Sequence, residues 1–178
     1  MGWERPAQGE YAPFYAGYIA QVPDGDLLEL LARQGGDSAA LLAGIPESRG
    51  DFAYAAGKWT LKEVLCHLAD AERVFAYRAL RFARGDGTPL ASFDEKAWVP
   101  AAGAARRSVA GLAAELAAVR GATLALLRGL PPEAPGRSGT ASNSEVTVRA
   151  LGWIIAGHER HHLQIIRERY LGPVAAPR

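Results

Sequence analysis

Three of the four histidines in this sequence lie within the segment GHERHHLQII, residues 157–166. If the segment is helical, His158 and His162 lie one turn apart on the same face, with their Cβ atoms about 5–6 Å apart. Two imidazoles at this spacing can bind one divalent metal ion. The segment therefore indicates metal chemistry, provided that the fold supplies further ligands.

His158 and His162 lie near the centre of an apolar helical stripe, which also contains Leu151, Ile154, Ile155 and Ile165. A single buried histidine is usually a hydrogen-bonded core residue, but two in one small volume each need a polar partner. A shared metal ion satisfies both imidazoles, so we favour a metal site over the alternative of a packed polar core. His161 lies about 60–100° from this pair around the helix, so we expect it beside the site or at the surface.

A third ligand could come from His67, the remaining histidine, in the segment VLCHLADAE. His67 lies about 100° from the centre of the apolar stripe of its own helix, which leaves its role open. Glu72, by contrast, lies inside that stripe. We favour a buried ion pair between Glu72 and an arginine such as Arg78 or Arg81. The alternative is that Glu72 orients a metal-bound imidazole.

Residues 158–162 also satisfy the pattern H-E-x-x-H, in which two histidines bind zinc and the glutamate, here Glu159, is the general base of a peptidase. A zincin needs a third ligand beyond the motif, and no histidine follows His162. No strand edge is predicted that would hold an extended peptide. We therefore rank a zinc peptidase low, but we keep Glu159 as a candidate base for a water activated by the metal.

Four segments with helical spacing of apolar residues must position these side chains: 24–44, 60–84, 107–129 and 144–171. Thr60 and Glu63 form a capping box at the start of the second segment, and Gly172 and Pro173 end the fourth. No segment shows a convincing strand pattern. The sequence therefore predicts an all-α four-helix bundle in a single domain, 1–178, with its ligand site between facing helices.

Two further segments are expected to cover the helical bundle, 24–171. Residues 1–23 are rich in aromatic side chains and are predicted to wrap the bundle as an arm. The connection 85–106 contains Phe93 and Trp98 and is predicted to cover one end of the bundle as a lid. A site in the core would then be enclosed partly by segments outside the four helices.

The composition is that of an ordinary globular protein, with 49% hydrophobic and 22% charged residues. The net charge of +1 argues against nucleic-acid binding, which usually requires a basic excess. No unbroken run of about 18 apolar residues indicates a membrane span, and the N-terminus lacks the apolar core of a signal peptide. One cysteine, Cys66, cannot form an internal disulfide. We expect a soluble cytoplasmic protein with no nucleic-acid or membrane partner.

Two motifs resemble the DinB-like (damage-inducible) metalloprotein family: the histidine followed by LADAE, and the ending HERHHLQI. The resemblance covers nearly the whole chain. It implies a four-helix bundle with a three-histidine site for a divalent metal ion, zinc or nickel in many members. The ligands that it implies are His67 from the second helix and His158 and His162 from the last. It also implies a homodimer.

The resemblance further implies an enzyme that acts on a small molecule. Relatives include S-transferases that use a low-molecular-weight thiol such as bacillithiol or mycothiol. A three-histidine site with an open position is typical of catalytic metal centres. We expect a thiol-dependent S-transferase or a hydrolase acting on a small electrophile, with Glu159 and Glu72 as candidate catalytic residues. The alternative is a non-enzymatic metal-binding or stress-response bundle.

Overall fold

The computed structural model describes residues 2–172 and contains four long helices. Helices are numbered in chain order, and the labels α1 and α4 belong to two short helices described below. The bounds of the long helices are α2 Leu27–Ala43, α3 Leu61–Ala83, α5 Val109–Arg128 and α6 Val148–Ile165. The predicted all-α four-helix bundle is confirmed. A π-helical turn, Ile166–Tyr170, extends α6. Pro173, which was expected to end this helix, lies outside the described residues.

Each long helix begins after a side chain that accepts a hydrogen bond from the first turn, namely Asp26, Thr60, Ser108 and Thr147. The predicted capping box at the start of α3 is complete, because Glu63 accepts in return from the backbone N–H of Thr60 at 2.7 Å. Such a cap stabilises a helix by about 1 kcal/mol. The four starts are therefore determined locally, by residues visible in the sequence.

The fourth helix begins four residues later than predicted, because residues 138–147 form a hairpin. Strands β1, Ser138–Ala141, and β2, Ser144–Thr147, pair antiparallel. Ser142 and Asn143 between them have φ values of 52° and 61°. Positive φ at both central residues is the geometry of tight hairpin turns. The prediction of no strand was wrong here, because the turn lacks the glycine that usually indicates it.

Helices α2 and α3 follow each other in the chain but do not lie side by side. Each packs against both α5 and α6, so α2 and α3 lie across a diagonal of the bundle. Helix α3 therefore presents two wide faces to its neighbours, and most of its residues are buried. This arrangement brings the first half of α3 next to α6, where the histidines lie.

The two segments outside the bundle lie against it as expected. In the arm, α1 (Ala16–Ile19) packs on α6, and a Cβ added at Gly157 would come within 2.2 Å of the carbonyl oxygen of Tyr18. In the 85–106 connection, α4 (Glu95–Ala101) packs on α3. The lack of a side chain at Gly157 is therefore what allows the arm to approach α6 beside His158.

Helix α5 is long and apolar enough to cross a bilayer by length and composition alone. Core helices of water-soluble proteins pass the same test. Within the described bundle, α5 buries Leu112, Leu116 and Leu127. It also carries Arg120 in a buried ion pair with α3 and α6. About 33% of the apolar stretch is buried in the bundle, so packing accounts for part of the composition of α5.

Candidate metal centre

The structure brings three of the four histidines together between α3 and α6. The nitrogen ligand atoms of His67, His158 and His162 all lie within 4.8 Å of one another. The Nε2 atoms of His67 and His158 are 3.0 Å apart. His67 lies away from the centre of the apolar stripe of α3, which left its role open. It still reaches the other histidines because α3 contacts α5 and α6 at once. The three side chains therefore meet although they are far apart in the sequence.

Burial keeps these imidazoles neutral. Desolvation lowers the pKa of His67, and it lowers that of His158 well below the usual value, with a further contribution from the neighbouring rings. The pKa of His162 falls to about 3, again mainly through desolvation. The neutral ring is the form that binds metal, because it offers an unprotonated nitrogen. The protein thus holds three imidazoles in the form that a metal ion requires.

The donor set fits a divalent ion. Two nitrogens bound to one tetrahedral zinc ion at about 2.0–2.1 Å are themselves about 3.3 Å apart, close to the separation of His67 and His158. Within residues 2–172, the ligand cluster contains no fourth side chain. Structural zinc sites are closed by four protein ligands, whereas catalytic sites keep one position free. Three histidines alone would leave one position of a tetrahedral ion without a ligand from the described residues.

The three histidines face a cavity of about 250 Å³, here called the histidine cavity. Its walls are largely aromatic, and they comprise Phe14, Tyr15, Tyr18, Trp59, Phe75 and Phe93 together with Glu95 and Ser142. The arm supplies the first three of these residues and the 85–106 connection supplies Phe93 and Glu95. Both segments predicted to cover the bundle therefore form part of the wall.

Aromatic rings hold the histidines from several sides. Tyr18 makes edge contacts with His158 and His161, with ring centroids 5.4 and 5.2 Å apart, and the Trp59 ring lies 4.9 Å from that of His67. His161 also touches His162 but lies outside the ligand cluster. Its position beside the site is the one expected from its direction on the helix.

Glu95 is the carboxylate of the histidine cavity, and sequence reasoning missed it. It is partly buried, and its charge acts on two residues of the site. The pKa of Tyr18 is raised, first by the burial of Tyr18 and then by the Glu95 charge. The pKa of His67 is lowered by the burial of His67, and the Glu95 charge opposes that lowering. Asp94 caps the short helix that carries Glu95, which is a recognisable local pattern. The sequence contains no signal that this helix docks over α3.

Glu159, the candidate base from the H-E-x-x-H pattern, does not face the histidine cavity. Its carboxylate accepts hydrogen bonds from Ser38 at 2.8 Å, from Arg120 at 2.8 Å and from Gln34. These partners belong to α2 and α5, on the opposite side of α6 from His67. All of its hydrogen bonds are thus structural, and this correction removes the second element of the peptidase pattern.

Glu72 is a buried ion-pair partner, as favoured, but the arginine is a different one. Arg120 donates to both of its carboxylate oxygens, at 2.9 and 2.8 Å. Arg78 instead donates to the Ala91 carbonyl and to Ser142, and Arg81 pairs with Asp86. The alternative role for Glu72, orienting a metal-bound imidazole, has no support in these contacts.

The metal-free protein is expected to lose stability as the pH falls from 7 to 5. The unfolded chain protonates its histidines below about pH 6.5, whereas His162 stays neutral in the folded chain down to about pH 3 and His158 is also held neutral. Between these values the unfolded state binds more protons, so the free energy of unfolding falls with pH. We expect a loss of about 2 kcal/mol for each of these two histidines, measured by urea denaturation.

His162→Gln provides the control, since it removes one of the three histidines whose pKa burial lowers. The difference between pH 7 and pH 5 is expected to shrink by about 2 kcal/mol. Aspartates and glutamates contribute little in this range, because in the unfolded chain they titrate near pH 4. A free energy of unfolding that stayed constant from pH 7 to 5 would contradict burial of neutral imidazoles.

Comparison with known proteins found a matching family model and a solved structure of the same fold. The family model described as the DinB superfamily matches residues 30–166, which include all three clustered histidines. No curated protein matches the chain. A solved structure, described as YfiT from Bacillus subtilis, a probable metal-dependent hydrolase with an unusual four-helix bundle topology, is 24% identical with a TM-score of 0.69. The match covers 92% of this chain and 89% of that chain and shows a shared fold.

Proposed function

The chain belongs to the DinB superfamily, and from this membership and its histidine cluster we propose that it is a metal-dependent hydrolase of small molecules. The observation that carries the proposal is that three neutral imidazoles, with no fourth ligand in the described residues, face a cavity containing a carboxylate. Metal-assisted hydrolysis needs an open coordination position, a space for the substrate and a proton acceptor.

His67, His158 and His162 would hold the ion, which we propose to be zinc or nickel. When bound, a divalent ion would supply Lewis-acid activation, lowering the pKa of a water molecule and polarising a carbonyl group of the substrate. The three imidazoles are neutral and already gathered in one place, so binding requires little rearrangement. Burial by Tyr18 and Trp59 excludes bulk water from around the ligands and strengthens electrostatic effects in the site.

We assign the proton transfers to Glu95. Its carboxylate accepts the proton of the attacking water as the oxygen adds to the electrophilic carbon of the substrate. The resulting carboxylic acid then donates that proton to the departing group, so Glu95 returns to its starting state. One carboxylate that acts first as base and then as acid is enough for an ester or amide. No other carboxylate lines this cavity among the described residues.

The walls of the histidine cavity restrict the substrate. About 250 Å³ is below the range of about 300–1,000 Å³ usual for sites that bind drug-sized ligands, which favours a small molecule. The aromatic rings of Tyr15, Phe75 and Phe93 offer an apolar surface. The small volume also agrees with the low rank of a peptidase.

Replacing Glu95 with glutamine is expected to lower the turnover of activated esters by the metal-loaded protein about ten- to a hundredfold. Glutamine keeps the size of the side chain but cannot accept the proton. Metal affinity should stay within a few-fold, because Glu95 lies outside the ligand cluster. The measurement is hydrolysis of a panel of 4-nitrophenyl esters by zinc-loaded and nickel-loaded protein purified without an affinity tag.

Glu29→Gln is the matched control, since Glu29 is an exposed glutamate on α2, away from the site. It should leave turnover unchanged. The hydrolase proposal fails if the loaded wild-type protein turns over no ester or amide in the panel. The assignment of Glu95 fails separately if Glu95→Gln and Glu29→Gln have the same turnover.

A thiol-dependent S-transferase is the second candidate, and a specific feature favours it. A second cavity adjoins the histidine cavity, with Trp59 and His162 lining both. Transfer requires room for a thiol and an electrophile at once, and two cavities that share Trp59 and His162 offer that room. In that reaction the thiol loses its proton to Glu95, and the sulfur then bonds to the electrophilic carbon as the bond from that carbon to its leaving group breaks. Glu95 then gives the proton to the leaving group. Adding low-molecular-weight thiols to the same assays distinguishes transfer from hydrolysis.

A further inference from the structure

The second cavity has a volume of about 460 Å³ and a composition different from the first. We call it the lysine cavity, and it is lined by Tyr54, Gly57, Lys58, Trp59, Val64, Lys96, His162, Ile165 and Tyr170. This lining includes no aspartate or glutamate. The two cavities meet at one proposed metal ligand, His162, and at the Trp59 ring, which contacts another, His67. A molecule in the lysine cavity therefore lies directly beside the histidine cluster.

The chain uses lysine sparingly, which makes this pair notable. It has three lysines, and two of them, Lys58 and Lys96, line this cavity. The third, Lys62, is bridged to Glu47 at 2.8 Å and to Asp51 at 3.3 Å. Neither Lys58 nor Lys96 forms an ion pair with any residue in the range 2–172. Two cations thus face one cavity without a protein counter-ion.

The rest of the lining suits the apolar part of a ligand. Tyr54 and Tyr170 pack edge to face with centroids 5.2 Å apart, and the Tyr170 hydroxyl donates to the Trp59 carbonyl at 2.6 Å. These contacts hold the tyrosines and Trp59 as a fixed aromatic wall. A wall of this kind beside two ammonium groups is complementary to a molecule with an apolar body and an anionic end.

We propose that the lysine cavity binds the anionic group, a carboxylate or phosphate, of a small molecule whose reactive end reaches the histidine cluster. This inference rests on the proposed function and names its substrate class. Lys58 and Lys96 attract the anion and set the orientation of the molecule. The aromatic wall around Trp59 holds the apolar part between the two cavities. The anionic molecule is the electrophile in hydrolysis, or the thiol in transfer.

Binding can be tested without turnover and without metal. Metal-free protein is titrated by NMR with benzoate, with phenyl phosphate and with uncharged benzyl alcohol. We expect both anions to bind more tightly than benzyl alcohol, and Lys58→Gln combined with Lys96→Gln to weaken the anions about tenfold. Both lysines are exposed, so the double variant should fold, which its melting temperature checks. Using metal-free protein prevents the carboxylate from binding a metal ion instead.

A variant that removes two positive charges elsewhere controls for net charge. Arg33 and Arg128 are exposed, and Arg33→Gln combined with Arg128→Gln should leave benzoate binding unchanged. The inference is overturned if the lysine variant binds benzoate as tightly as the wild type. It is also overturned if the arginine variant loses as much affinity, or if benzyl alcohol binds as tightly as benzoate. A failure of hydrolysis, by contrast, leaves these binding results unaffected.

Kinetics with the zinc-loaded protein then identify the anionic molecule. One comparison is between 4-nitrophenyl acetate and the mono-4-nitrophenyl ester of glutarate, which carries a carboxylate. The other is between 2-mercaptoethanol and 3-mercaptopropionate as thiols. If the wild type prefers the glutarate ester and the lysine double variant does not, the lysine cavity binds the electrophile. If the same holds for 3-mercaptopropionate, the lysine cavity binds the thiol. A preference that persists in the lysine double variant contradicts the proposal.

Discussion

Replacing His67 with alanine is expected to lower the zinc affinity of the chain a few hundredfold. Structural zinc sites with four protein ligands bind with about 10–16 kcal/mol, so one ligand contributes on average about 2.5–4 kcal/mol. His67 is one of the three clustered histidines and the only one of them on α3, so its loss leaves two histidines on one helix. Zinc affinity is measured by chelator competition on tag-free protein, alongside the metal content of the protein as purified.

The interpretation depends on separating loss of a ligand from loss of structure. His67 is buried and packs against Trp59, so alanine also leaves a cavity. His67→Gln keeps most of the volume and should still lose most of the affinity, because an amide is a poor zinc ligand. His161→Ala is the matched control, since His161 touches the site but lies outside the cluster. Its zinc affinity should stay within about tenfold of wild type.

About one zinc ion per chain in the wild type and in His161→Ala, but not in the His67 variants, would join the two distant motifs in one site. Zinc binding that is unchanged in both His67 variants would show that His67 is not a ligand. No zinc binding by any form, even after metal is added back, would leave the cluster as a packed polar core. That core was the alternative left open by the spacing of His158 and His162.

The sequence predicts the part of the site that is local. His158 and His162 are separated by one helical turn, so their meeting requires only that α6 be a helix. The capping box of Thr60 and Glu63 likewise fixes the start of α3. The contribution of His67 depends on how α3 packs against α6. The angle of His67 on its helix did not decide whether it belongs to the site. The family resemblance implied that it does.

The position of Glu159 has a physical explanation. Neighbouring residues on a helix point about 100° apart, so the partners that pack on each side of α6 decide whether Glu159 turns toward His158 and the cavity. The pattern H-E-x-x-H carries catalysis only if the fold places the glutamate toward the metal. Here Arg120, far away in the sequence, lies on the other side of α6 and engages Glu159. The tertiary structure determines which residue pairs with a buried charge, so a short sequence motif cannot predict it.

Glu95, Lys58 and Lys96 were not predicted, because they lie in segments that connect the helices. Their roles depend on how the connection 85–106 and the loop before α3 dock on the bundle. Docking of this kind is fixed by many weak contacts, such as Arg78 donating to the Ala91 carbonyl. The aromatic content of the connection indicated a lid, but it did not indicate which charges the lid would bring to the site.

Replacing Arg120 with methionine is expected to destabilise the protein by about 3–5 kcal/mol, the cost of removing one partner from a buried ion network. Arg120, Glu72 and Glu159 are each at most 4% exposed. Arg120 donates to both glutamates and also to the Leu31 carbonyl at 3.1 Å. Its pKa is raised: burial alone would lower it, but the two carboxylates outweigh that effect. Without Arg120, two buried carboxylates lie close together with no cation, which urea denaturation should reveal.

The triple variant Arg120→Met, Glu72→Gln and Glu159→Gln separates the effect of charge from that of packing. It removes the unpaired charges and keeps the approximate volumes, so it should recover most of the lost stability, since replacing a whole buried ion network is often nearly neutral. If the triple variant is no more stable than Arg120→Met alone, the loss comes from packing and not from unpaired carboxylates.

Zinc affinity adds a second measurement, because Glu159 adjoins His158 on α6. The hydrogen bonds of Glu159 to α2 and α5 fix the rotation of α6 that directs His158 and His162 toward His67. The triple variant should therefore fold but bind zinc more weakly than the wild type, by about ten- to a hundredfold, the usual effect of losing residues that orient metal ligands.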